Sequence, residues 1–117
     1  MRRRFVLAAL LFLALAAPAR AADGFVEGID DLPLMAGLVG SGDPTVFDQA
    51  SGRVVESLAE GAPTRAAVLD FYAATLPQLG WRTEGAGRFA REGERLLIEF
   101  PPTPTGRTLV RFFLSPE

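Results

Sequence analysis

The sequence predicts an α+β fold in which one amphipathic helix lies across one face of an antiparallel β-sheet. Residues 64–79 place apolar side chains at helical spacing and are followed by Gly80. Residues 81–114 instead form short runs separated by Gly- and Pro-containing turns, and two similar runs precede the helix. The apolar stripe of the helix must be buried, and strands are the partner that the rest of the chain offers. We therefore expect the element order ββαββββ.

The first residues have the pattern of a secretory signal peptide. A basic stretch, residues 1–4, precedes an apolar stretch, residues 5–17, and a small-x-small sequence ends at Ala21. The apolar stretch is shorter than the about 20 residues of a membrane-spanning helix. We expect residues 1–21 to be a signal peptide cleaved after Ala21, which predicts a periplasmic or secreted protein. The alternative is an uncleaved N-terminal anchor.

The charge of the expected mature chain limits its partners. Four of the twelve basic residues lie in residues 1–21, whereas all fourteen acidic residues follow them, so cleavage leaves an acidic chain. An acidic domain is a poor ligand for nucleic acid or anionic lipid, and we expect neither, nor a stable membrane anchor after cleavage. The sequence has no Cys, so packing alone must stabilise the fold.

Residues 22–42 are expected to form an ordered N-terminal arm, and residues 43–117 a single α+β domain. The arm contains Gly, Asp and Pro around a short apolar segment, with a helical turn expected near Pro33. Two roles are open for its apolar residues. They cover an open edge or face of the same domain, or they dock on another protein. The residues concerned are Leu34, Met35 and Leu38.

A hairpin and the central helix follow the arm. Thr45–Gln49 and residues 53–59 read as strands around a turn at residues 50–52. Thr64 is the expected N-cap, Pro77 should bend the last turn, and Gly80 should end the helix in a left-handed conformation. The residues expected on its buried face are Val68, Leu69, Tyr72, Leu76 and Leu79.

Four strands are expected after the helix, at residues 81–84, 88–91, 95–100 and 107–114. Their short connections predict an antiparallel meander. Because side chains alternate between the faces of a strand, one set should meet the helix. That set is Leu96, Ile98, Phe100, Val110, Phe112 and Leu114.

The opposite face of the last two strands is too apolar for a plain solvated surface. It carries Leu97, Leu109 and Phe113, rimmed by Arg95 and Arg111. We expect this face either to be covered by the arm residues Leu34, Met35 and Leu38 or to bind a protein partner.

Composition argues against most catalytic chemistry. The sequence has no His and no Cys, which removes thiol nucleophiles, Ser–His and Cys–His pairs and the usual zinc ligand sets. Asp30 and Asp31 could bind calcium, and Glu56 with Glu60 could act as acid and base, but solvated surface is the preferred interpretation of each pair. We expect no catalytic residue, metal or cofactor.

Arginines and aromatic residues near the meander also allow two readings. Arg88, Arg91 and Arg95 could bind an anion, but the glutamates interleaved with them favour cross-strand ion pairs. Trp81 and Tyr72 are the single members of their types. We expect them in the core, where Trp81 would join helix to sheet, rather than in a ligand-stacking site.

Two segments carry a resemblance. The helix-to-strand motif at residues 71–81, with Phe71-Tyr72, Leu76-Pro77 and Leu79-Gly80-Trp81, and the Asp-Leu-Pro-Leu-Met sequence at residues 31–35 resemble those of uncharacterised small exported proteins of proteobacteria. The resemblance implies the fold and an exported location, and it implies no activity.

Function is therefore predicted only as a class. The leading hypothesis is a non-catalytic periplasmic protein-binding or accessory domain. The alternative is a binder of a small apolar or lipid-like molecule held between helix and sheet, and an enzyme ranks third.

Overall fold

The computed structural model describes residues 22–117, with side chains from residue 24, so the expected signal peptide lies outside the described residues. It confirms the α+β class, with one α-helix and antiparallel sheets. The elements are β1 (Ala22–Phe25), β2 (Pro33–Met35), β3 (Leu38–Gly40), β4 (Thr45–Gln49), β5 (Gly52–Gly61), α1 (Arg65–Thr75), a 3₁₀ turn (Leu76–Leu79), β6 (Arg82–Gly85), β7 (Arg88–Arg91), β8 (Glu94–Glu99) and β9 (Thr108–Pro116).

The main sheet has seven strands, in the order β3-β5-β9-β8-β7-β6, and β4 pairs with β5 on the same side as β3. The meander of the last four strands is confirmed. The hairpin joins the same sheet because β5 pairs with β9, from Val55 opposite Leu114 to Gly61 opposite Thr108. One sheet thus extends from the β3–β4 edge to β6, while β1 and β2 form a separate two-stranded sheet.

The central helix begins and ends as expected. Thr64 accepts a hydrogen bond from the Ala67 N–H at 3.1 Å. The α-helix stops at Thr75, a 3₁₀ turn containing Pro77 follows, and Gly80 has a φ of 94°. This tighter turn rotates the next side chain away from the core, so the prediction that Leu79 is buried is wrong: Leu79 is 43% exposed.

The core lies between the helix and the face of the main sheet that we call the inner face. Val68, Tyr72 and Leu76 are fully buried against it. The Tyr72 ring meets Phe112 edge-on, with 5.5 Å between the ring centroids. The inner-face residues Leu96, Ile98, Val110, Phe112 and Leu114 are buried as expected, and Phe100 is half-buried beside them.

The arm packs on its own domain, and it contains strands instead of the helical turn expected near Pro33. Pro33–Met35 pairs with Ala22–Phe25, and Leu38–Gly40 pairs with the end of β5. The approach is so close at Gly61 that a Cβ there would overlap the carbonyl oxygen of Gly37. Besides Leu38, the arm buries Val26, Ile29 and Leu32 in the core.

Trp81 lies at the junction of helix and sheet, as the core interpretation predicted, and its backbone N–H donates to the Leu76 carbonyl at 3.1 Å. It is buried, and the guanidinium carbon of Arg91 lies 4.3 Å from its ring centroid. Arg91 also donates to the Leu79 carbonyl at 3.0 Å and to the carboxylate of Asp31 at 2.5 Å. One arginine therefore connects β7, the end of the helical segment and the arm.

Candidate functional site

The face of the main sheet that points away from the helix, which we call the outer face, holds the residues predicted from alternation. Leu97 lies opposite Phe113, and Phe113 lies opposite Glu56 on β5. Leu109 lies opposite Glu60. Cross-strand register thus brings the three apolar residues onto one surface, where Leu97, Leu109 and Phe113 are each half-buried.

Arg111 lies at the centre of the outer face. Its guanidinium carbon is 4.6 Å from the centroid of the Phe113 ring, and its Nε and Nη1 atoms donate to the carboxylates of Glu56 and Glu99. The hydrogen bond to Glu56 is the main cause that raises the pKa of Arg111 above its usual value. The guanidinium therefore stays charged while it covers part of an aromatic ring.

Ion pairs surround this centre. Arg95 lies 3.8 Å from Glu84, and Arg82 pairs with Glu84 and with Glu117. At the other end, Arg107 lies 3.8 Å from Glu60. The predicted cross-strand ion pair is therefore formed by Arg95, whereas Arg91 forms its ion pair with Asp31 of the arm. The outer face consists of apolar residues between paired charges.

The arm does not cover the outer face. Leu34 and Met35 pack against the inner-face core, and Leu38 belongs to that core. Covering an edge of the same domain is the arm role that the structure shows, because β3 pairs with β5. The expectation that Leu34, Met35 and Leu38 lie over the outer face is wrong, and the face remains open in the described part of the chain.

The structure adds residues that sequence reasoning did not assign to this surface. Phe47 lies opposite Val54, and Val39 lies opposite Glu60, so both project from the outer face at the β3–β4 edge. They are 58% and 66% exposed. Alternation within β4 places Phe47 on one side of its strand. Which face of the main sheet that side belongs to follows from the pairing of β5 with β9, which the sequence does not indicate.

A cleft of about 360 Å³ opens at one end of the sheet. The start of the helix and the proline-rich loop form its walls, and Leu109 connects it to the outer face. The guanidinium carbon of Arg65 lies 5.9 Å from the ring centroid of Phe100 beside it. The lining includes Arg65, Pro101, Pro102, Thr103, Arg107 and Leu109.

The carboxylates considered for calcium binding or for acid–base chemistry form ion pairs: Asp31 with Arg91, Glu56 with Arg111, and Glu60 with Arg107. Within the described residues there is no group of three or more potential metal ligands. No helix in the same part of the chain has the length and apolar character needed to cross a membrane.

Comparison of the chain with protein-family models, with curated proteins and with solved structures finds no significant match. The resemblance to exported proteobacterial proteins stays a prediction. The outer face is therefore the feature of the molecule that points to a function.

Proposed function

We propose that this chain is a non-catalytic, exported domain that binds another protein through its outer face and the adjoining β3–β4 edge. The observation that carries the proposal is the open position of this face. Helix and arm both pack on the inner face, so Leu97, Leu109 and Phe113 are left half-exposed on one continuous surface.

The distribution of residue types resembles that of protein interfaces. Such interfaces combine an apolar centre, enriched in aromatic residues and Arg, with a polar rim. Here Phe113 and the arginine stacked on it lie at the centre, and the Arg95–Glu84 and Arg107–Glu60 pairs lie at the ends. Phe47 and Val39 extend the apolar area to the sheet edge.

Site-specific cross-linking tests this proposal. A photoreactive amino acid at Leu109 places the probe on the outer face, and the same amino acid at Ala73 places it on the exposed side of the helix. In the host cell we expect one discrete protein adduct from position 109 and none from position 73. Adducts of equal pattern from both positions, or none from either, would contradict binding through the outer face.

Export is the second part of the proposal, and it is supported by the residue pattern at positions 1–21. N-terminal sequencing of the protein from a periplasmic or culture fraction should begin at Ala22. A protein that retains Met1 or stays in the cytoplasm would contradict it.

The binder of an apolar or lipid-like molecule is the weaker proposal. The space between helix and sheet is filled by Val68, Tyr72 and Leu76, all fully buried. The cleft described above lies outside this interface and has two arginines in its lining. A lipid-like ligand would have to displace packed side chains, which costs stability.

A further inference from the structure

The strand β4 has an open side. Its residues pair with β5 from Thr45 opposite Glu56 to Gln49 opposite Gly52, and no strand of the described chain pairs with its other side. All five of its residues are exposed, including Val46 at 52% and Phe47. The unpaired N–H and C=O groups of such an edge form a template for another strand.

The two edges of the main sheet differ in how they are protected. At β6, the charged residues Arg82 and Glu84 and an irregular register before Gly85 discourage pairing with a further strand. By contrast, β4 has regular register along its whole length, contains no Pro, and carries a single charge, at Asp48. β4 is the edge suited to pairing.

We infer that β4 pairs antiparallel with β4 of a second copy of this chain, about a two-fold axis at Phe47. With five residues in the strand, this axis gives full overlap. Phe47 then faces Phe47 of the second copy on the outer face, Val46 faces Asp48, and Thr45 faces Gln49. The strand is self-complementary in this register because no like charges oppose each other.

The neighbouring symmetric registers are less favourable. An axis at Asp48 sets two carboxylates directly opposite each other, which is destabilising. An axis at Val46 brings Pro44 opposite Asp48, and Pro has no N–H to donate to the ladder. Side-chain charge and backbone chemistry both select the axis at Phe47.

The contact should be weak and reversible. Five residues from each copy bury much less than the about 1,200 Å² at which stable interfaces begin, so we expect association at high protein concentration. This inference does not rest on the proposed partner, because it concerns the backbone of β4, whereas the cross-linking probe at Leu109 lies opposite Glu60, outside the part of β5 that pairs with β4.

Substitutions at Val46 test the register. Sedimentation from about 10 μM to about 1 mM protein should show a monomer–dimer equilibrium. Val46→Lys would place an ammonium opposite Asp48 twice in the dimer and should tighten association about fivefold, while Val46→Asp should weaken it by at least that factor. Val39→Lys and Val39→Asp, in the other edge strand, are the matched controls and should leave it unchanged apart from a small net-charge effect.

A cysteine provides an independent readout, because the chain has none of its own. Phe47→Cys should form a disulfide-linked dimer under mild oxidation much faster than Val39→Cys, since only position 47 lies on the axis. A monomer up to the highest concentration, or equal effects of Lys and Asp at position 46, would overturn the inference. Cross-linking rates that are equal at positions 47 and 39 would overturn it as well.

Discussion

The hydroxyl group of Tyr72 donates a hydrogen bond to the carbonyl oxygen of Pro33 at 2.7 Å, and the hydroxyl oxygen accepts one from the Met35 N–H at 3.2 Å. The one tyrosine of the chain thus fastens the arm to the central helix. This contact keeps the arm on the inner side of the sheet and leaves the outer face free.

Tyr72→Phe should lower the free energy of unfolding by about 1–3 kcal/mol, because it leaves the buried Pro33 carbonyl without its donor while the ring packing is kept. Urea unfolding followed by Trp81 fluorescence measures the loss. An unchanged midpoint would show that the arm is not held by this hydrogen bond.

Alkaline pH should act on the same residue. Burial raises the pKa of Tyr72 well above its usual value of 10.0, so the hydroxyl stays neutral in the folded state after the unfolded chain has lost its proton. Stability is therefore fully present below pH 10 and should fall above it by about 1.4 kcal/mol per pH unit.

Few other side chains titrate in this pH range, since the chain contains no Lys, no Cys and one Tyr. Urea unfolding between about pH 9 and 11.5 should show the decline in the native chain and little of it in Tyr72→Phe. The same decline in both proteins would assign it to another group.

Gly61→Ala should separate the arm from the sheet. The added Cβ would overlap the carbonyl oxygen of Gly37, so we expect a loss of about 3 kcal/mol, at the upper end for overpacking. Gly40→Ala is the control: it lies in β3, has no heavy atom within 4 Å of its Cβ position, and should change stability little. Thermal unfolding measures both variants. Equal unfolding midpoints for Gly61→Ala and Gly40→Ala would contradict the close packing of the arm against β5 at Gly61.

Arg111→Ala should expose Phe113 without unfolding the chain. The Arg111 ion pairs with Glu56 and Glu99 are partly exposed, so their loss should cost about 1 kcal/mol or less. Binding of a hydrophobic dye should rise because the guanidinium no longer covers the ring. The matched variant Arg53→Ala, which removes a partly exposed ion pair with Glu94, should bind no additional dye; equal increases would argue against a specific cover by Arg111.

Local signals explain which elements could be predicted. Thr64, Pro77 and Gly80 define the helical segment through short-range chemistry, and alternation separates Leu96 and Ile98 from Leu97. Leu79 was misplaced because the periodicity of an α-helix was extended through a 3₁₀ turn.

The remaining features depend on contacts between residues distant in sequence. β5 pairs with β9 across the helix and the meander, so no local pattern indicates that the hairpin joins the same sheet. β2 and β3 have three residues each and are held by Tyr72 and by β5. The apolar residues of the arm predict that the arm is buried against the domain. They do not predict which face it covers, because that depends on the long-range hydrogen bond between Tyr72 and Pro33.

Thiol labelling tests the central claim, that the outer face is open in the isolated protein and occupied by a partner in the cell. Leu109→Cys introduces a single thiol on this face, and Gln78→Cys introduces one at an exposed position beside the helix. Both should react readily in the purified protein, and only Cys at position 109 should react more slowly in host cells. Equal reactivity of position 109 in cells and in the purified protein would contradict the account.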